Sequence, residues 1–229
     1  MFKILTQKTE TLEKAAFILA FLTLGAQVLA IVRNKIFTTT FGASLELDIY
    51  FAAFKIPDMI FLLTGTLISS FILIPFFTKL EINKKKLQNF INKVFFSFLL
   101  LIIIISSIVF IFVPQIAQIF FSGFQGDAMC LFIDTTRILL LIPIFFGLAN
   151  LFIGLNQKYG FFVSSALTGV LYNISIILGT LFLFPIFGLL GVIIGVVIGS
   201  ILYLAVQLPT IFKKKLFPKK ILFFSKTES

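Results

Sequence analysis

The chain has 229 residues, 59% of them hydrophobic and only 12% charged, with a formal net charge of +10. A soluble domain of this length needs more polar surface than that composition supplies, and the lysines sit in short clusters that do not form a nucleic-acid-binding stripe. The absence of histidine removes the commonest general base and metal ligand, and the single cysteine, Cys130, excludes an internal disulfide.

Several apolar stretches exceed the ~20 residues needed to cross a ~30 Å hydrocarbon core. A transmembrane barrel would show short alternating segments instead, and these are absent. The pattern predicts an all-α polytopic membrane protein with six transmembrane helices, at about 15–41, 49–77, 94–113, 131–155, 161–184 and 187–208, followed by a basic tail at 209–229.

The first span opens with lysines and contains "GAQVLA", which has the look of a cleavable leader. Glu10 and Glu13 in its charged start, and a helical pattern that runs past Arg33, point to a retained helix. Most of the nineteen basic residues fall on one side when the N-terminus is put in the cytoplasm, and the loops at 114–127 and around Pro185 contain no Lys or Arg. Both termini are therefore expected in the cytoplasm. The run Lys84-Lys85-Lys86 reads as part of this topology signal.

The hairpin "RNKIFTTTFGASLELDIYFAAFKIPD", residues 33–58, departs from the rule that charges lie outside the apolar runs. A charge at mid-bilayer costs roughly 2.5–3.5 kcal/mol on insertion scales, so such residues face a cavity or a partner. Arg33 shares a helical face with Ala26, Ala30, Phe37 and Thr40, the kind of small-residue face that lines a wet crevice. Lys35 follows it. Asp48, Ala52 and Lys55 form a comparable face on the second helix, and Lys55 stands one turn before Asp58, within ion-pair reach. The alternative is that Arg33 and Lys35 snorkel and that the other charges pair for stability. Pro57 removes one donor and frees the carbonyl of Ala53.

Further along, "SGFQGD" at 122–127 reads as a turn, Asp134 and Arg137 as a local pair, and Asn173 as a hydrogen bond to a neighbouring helix. Gly191, Gly195 and Gly199 repeat every four residues, so a second helix can approach the backbone of the sixth span. With no histidine and no acid pair at catalytic spacing, an enzyme is disfavoured, and neither a metal nor a cofactor is expected.

"FGASLELDIYFAAFKIPD" followed by "IPFF" resembles the opening hairpin of the MurJ (MviN) family of bacterial lipid II flippases. The resemblance continues in order through "FFSGF", "TTRILLLIPIFFGLANLFIGLNQKYGFF", "LYNISIILG" and "FPIFGLLGVIIGVVIGSILYLAVQLP". It implies the N-terminal six-helix lobe of a multidrug/oligosaccharidyl-lipid/polysaccharide exporter-like fold in a bacterial cytoplasmic membrane. Such a fold closes an alternating cavity with a second lobe, here from another chain or a second copy. The implied substrate is an undecaprenyl-diphosphate-linked lipid, and the implied substrate-binding residues are Arg33, Asp48 and Lys55, with Lys35, Asp58 and Arg137 accessory.

This sequence departs from the family pattern where Gln27 replaces an earlier first-helix arginine. Phe61 and Leu62 stand where paired arginines are usual, and Thr66 stands in a glutamate position. Those departures leave open a related exporter of another polyprenyl-linked oligosaccharide or amphiphile, or a non-transporting half-protein.

Overall fold

A chain immersed in lipid must satisfy its backbone N–H and C=O groups internally, and helices do so segment by segment. The computed structural model describes residues 12–68 and 84–219, and among these residues it contains helices and no strand. In chain order they are α1 (Leu12–Phe41), α2 (Leu45–Ile68), α3 (Lys84–Phe120), α4 (Asp127–Leu139), α5 (Leu141–Lys158) and α6 (Phe162–Leu178). A π-helical segment (Gly179–Leu183), α7 (Phe184–Phe187), α8 (Leu189–Ala205) and α9 (Leu208–Lys213) follow.

These elements make six spans, because α4–α5, α6–α7 and α8–α9 are each one broken helix. Five of the six are long and apolar enough to cross a membrane, and α2 is the sixth. The end of the expected second span, to residue 77, lies outside the described residues, as do residues 1–11 and the tail beyond 219.

Prolines accompany the irregularities at Leu140 and at the π segment, whereas Pro57 and Pro114 lie inside the continuous helices α2 and α3. Pro143 cannot donate to the carbonyl of Leu139, and the fourth span is interrupted by a single turn residue, Leu140, between α4 and α5. Pro185 leaves the carbonyl of Leu181 without its usual donor, and the backbone there takes the wider π spacing. The helix nevertheless continues through Pro185 to Phe187, and the chain reverses at Gly188, whose φ of 58° suits glycine. The reversal expected around Pro185 is thus displaced to Gly188.

α1 packs chiefly on α6 and α6 on α8, whereas α2 packs on α4 and α5, and α3 on the same pair. Phe132, Phe152, Ile193 and Ile102 are among the fully buried side chains between them. The glycine face of α8 lies against α6 and the π segment. A Cβ at Gly195 would stand 2.9 Å from the Cα of Gly179, and one at Gly191 would overlap the backbone of Leu183. Ser175 Oγ donates to the Gly195 carbonyl across this contact at 2.8 Å.

A buried polar knot ties α5, α6 and α9. Asn156 Nδ2 donates to Gln207 Oε1 at 2.6 Å, Gln207 Nε2 to the Ser164 carbonyl at 2.9 Å, and Thr210 Oγ1 to Asn156 Oδ1. Beyond α9 the basic segment folds back on α3. Gln88 Nε2 donates to the Phe217 carbonyl at 3.1 Å, and Asn92 Oδ1 accepts from the Lys219 backbone at 3.2 Å.

Candidate functional site

α1 and α2 are joined by residues 42–44 and then part company, one held by α6 and the other by α4 and α5. Ser44 caps α2, accepting from the Leu47 backbone through its hydroxyl at 3.3 Å. Near this turn Phe37 meets Tyr50 edge-on at 5.0 Å, and Phe41 meets Phe184 at 4.5 Å. The result is a cleft closed by aromatic rings at its turn, with α6 along one wall.

Arg33 stands one helical turn from that aromatic seal. Its Nη1 donates to Asn173 Oδ1 at 3.0 Å, and its Nε and Nη2 donate to Asn34 Oδ1 at 3.3 and 3.1 Å. The guanidinium is half-buried and lies 5.9 Å from the Phe37 ring centre. Asn173 is itself held, because its Nδ2 donates to the carbonyls of Ala26 at 3.2 Å and Gly169 at 2.8 Å. Gly169 permits this approach, since a Cβ there would stand 3.1 Å from that of Ala26.

Tyr50, Tyr172 and Asp58 lie close enough to interact electrostatically with one another, and Arg33 with both tyrosines. Tyr172 packs on Phe146 at 5.2 Å, and Phe146 meets Tyr203 at 4.5 Å and Phe61 at 5.7 Å. The floor is therefore aromatic, with phenol groups near a fixed cation. Tyr50 is itself buried, so what the arrangement offers an anionic or sugar-bearing group is the half-buried Arg33 guanidinium beside partly exposed rings.

The remaining expected site residues are arranged differently. Lys35, Asp48, Lys55 and Asp58 are exposed, and no ion pair joins Lys55 to Asp58. Asp48 occupies the first turn of α2, and neither it nor Lys55 hydrogen-bonds Arg33. Phe61 packs against Phe146, Leu62 is 61% exposed, and Gln27 is exposed on α1. The side chain of Thr66 lies outside the described residues. Arg137 belongs to another part of the lobe, a groove between α3 and the α4–α5 span, where it lies 3.9 Å from Asp134.

Asn173 makes the interhelical contact expected of it, and its partners are Arg33 and the α1 backbone. Tyr50, Tyr172 and Tyr203 were not singled out by sequence. Their signal was there: in a chain with 33 phenylalanines, each of only four tyrosines adds a hydroxyl that an apolar span does not need.

The model of the family described as "Lipid II flippase MurJ" matches residues 37–228, a range containing Asp48, Lys55, Asp58 and Arg137 and beginning just after Arg33 and Lys35. A probable lipid II flippase MurJ of Buchnera aphidicola subsp. Acyrthosiphon pisum is 28% identical over 200 residues, covering 84% of this chain and 39% of the relative. One from Rickettsia prowazekii is 30% identical over 174 residues, covering 75% and 34%. The lipid II flippase MurJ of Thermosipho africanus is 30% identical over 197 residues, covering 84% and 40%. Among solved structures, a lipid II flippase MurJ in an inward closed conformation superposes with a TM-score of 0.71 at 27% identity, over 86% of this chain and 42% of that one. The chain thus spans about two fifths of the length of these relatives. With the match to the family model running through five of its six helical spans, this multi-pass membrane protein belongs to the lipid II flippase MurJ family.

Proposed function

We propose that the chain acts as one lobe of a lipid II flippase in a bacterial cytoplasmic membrane, with both termini in the cytoplasm. Together with a second lobe it moves a lipid-linked head group across the membrane by alternating access. The observation that carries this reading is the Arg33 guanidinium, oriented by Asn173 and Asn34 inside a cleft that separates α1 from α2. Arg33 and Lys55 supply positive charge for the diphosphate, and Lys35 adds to it. Asp48 and Asp58 orient the cations or respond to a coupling ion, and the undecaprenyl tail remains in lipid. The second lobe comes from a separate chain or a second copy.

The test is a flipping assay in vesicles with the second lobe supplied. Arg33→Ala and Asp48→Ala should each lower export of lipid II at least tenfold. Unchanged export in both variants would overturn the assignment.

A second reading is favoured by Phe61 and Leu62, which place an aromatic contact and an apolar surface where two guanidiniums are usual. That change weakens the grip on a diphosphate. It suits an exporter of another polyprenyl-linked oligosaccharide or amphiphile. Competition by lipid II against such a substrate in a binding assay separates the two.

A further inference from the structure

The groove between α3 and the α4–α5 span encloses about 810 Å³, within the size range of small-molecule sites. Its lining includes Ile103, Ser106 and Phe110 on α3, Asp134 and Arg137 on α4, and Ile144 on α5, and nothing from α1, α2 or α6. It is therefore separate from the Arg33 cleft. Two polar atoms in it lack partners: Arg137 Nε and Ser106 Oγ are both buried with no hydrogen bond, and Ser106 as a whole is 6% exposed. An unsatisfied buried donor costs roughly 1–3 kcal/mol, more when charged. Both atoms lie beneath the groove surface, and the exposed third of the Arg137 side chain is what an acceptor from outside would meet.

The groove has polarity along its length. Arg137 and Asp134 lie toward the Asp127 end of the α4–α5 span, and apolar side chains continue from there to Ile103 and Ile144. From Ile111 to Ile103 a helix advances about 12 Å. That is close to one leaflet, or about 15 Å of the hydrocarbon core. A charged end toward Asp127 and an apolar trough running on from it match the head and chain of an amphiphile about one leaflet long.

The charge balance selects among amphiphiles. Arg137 lies 3.9 Å from Asp134, so the pair offers one guanidinium already facing one carboxylate, and the Phe110 ring covers the cation at 5.0 Å. A singly charged phosphodiester can take the exposed edge of the Arg137 guanidinium, whose side chain is 33% exposed, without strong repulsion from Asp134. A dianionic monoester or a diphosphate meets that carboxylate at close range.

We propose that this groove is a binding site for a membrane phospholipid, its phosphodiester on Arg137 and one acyl chain lying along Phe110, Ile103 and Ile144. The site is independent of the head-group cleft, and its test does not depend on transport. The 229-residue chain in detergent is incubated with phosphatidylethanolamine carrying a photoactivatable acyl chain, and crosslinked peptides are mapped. Labelling is expected to concentrate in 103–111 and 134–144. Unlabelled phosphatidylethanolamine should displace it, and chain-matched diacylglycerol should not. Arg137→Gln should reduce it at least fivefold, and Ile103→Trp, which fills the trough from an exposed position and keeps Arg137, should reduce it as well. Labelling that persists in either variant, equal displacement by diacylglycerol, or stronger displacement by a polyprenyl phosphate would overturn the proposal.

Discussion

Arg33 Nη1 and Asn173 Oδ1 stand 3.0 Å apart although 140 residues separate them in sequence, and this bond joins α1 to α6 beside the one from Asn173 Nδ2 to the Ala26 carbonyl. A hydrogen bond to a charged group contributes roughly 1.5–3 kcal/mol. Asn173→Leu removes that bond together with those to the Ala26 and Gly169 carbonyls. It should lower the unfolding midpoint of the detergent-solubilised chain by an amount corresponding to about 2 kcal/mol. In the flipping assay it should act as Arg33→Ala does, only more mildly, since the cation remains but loses its aim.

The contact between α6 and α8 offers a sharper test of packing. A side chain at Gly195 must displace the backbone of Gly179 and the Ser175 carbonyl, both 2.9 Å from its Cβ. Overpacking of this kind costs about 1–3 kcal/mol. Gly195→Val should therefore destabilise the lobe more than Gly25→Val, because nothing lies within 4 Å of a Cβ at Gly25. Thermal unfolding of the two variants side by side checks the order.

Gln207 is fully buried and serves Asn156 and Ser164 at once. Gln207→Leu removes one hydrogen bond from the Asn156 amide, which keeps the Gln207 carbonyl and Ser164 Oγ, and one from the Ser164 carbonyl, each worth about 0.5–1.5 kcal/mol. Adding Asn156→Leu should cost less than the sum of the two single changes, because the Asn156–Gln207 bond is lost in both. A double-mutant cycle by chemical denaturation measures that coupling.

Leu62 and Phe61 differ in what a cation would meet. Leu62 is 61% exposed, and Leu62→Arg should be accepted and should raise affinity for a soluble diphosphate about tenfold, or 1.4 kcal/mol. Phe61→Arg breaks the ring contact with Phe146 and should destabilise the fold. Calorimetric titration with inorganic pyrophosphate, together with unfolding of each variant, distinguishes these outcomes.

The helical class and the six spans were legible because lipid leaves so few ways of satisfying a backbone, and apolar runs of this length announce themselves. The breaks were less so. Pro143 lies in the middle of an apolar run, where hydropathy does not change, and only the missing donor to Leu139 marks the interruption at Leu140. The reversal at Gly188 was hidden in the same way, since Pro185 carries the stronger punctuation signal and the helix accommodates it with a π segment. In the cleft, Arg33 stood out as a charge among apolar residues, and Asn173 as an amide among them. Nothing in sequence pairs the two, because their meeting depends on how α1 lies on α6. The same holds for Arg137, whose local partner Asp134 was readable from spacing, while its neighbours Ser106 and Phe110 come from another helix.

The short connection at 42–44 has a mechanical consequence. Two rods joined at one end, each fastened to a different neighbour, form a wedge that opens away from the joint. Phe37 and Tyr50 meet at its narrow end, one helical turn from Arg33. How far the wedge opens is governed by α6, which holds α1 through Asn173 and Gly169. From Phe162 to Leu178 that helix contains no charged residue. The element that fastens the charged wall to the rest of the lobe is thus an electrically neutral one, held in turn against α8 by the bond from Ser175 Oγ to the Gly195 carbonyl.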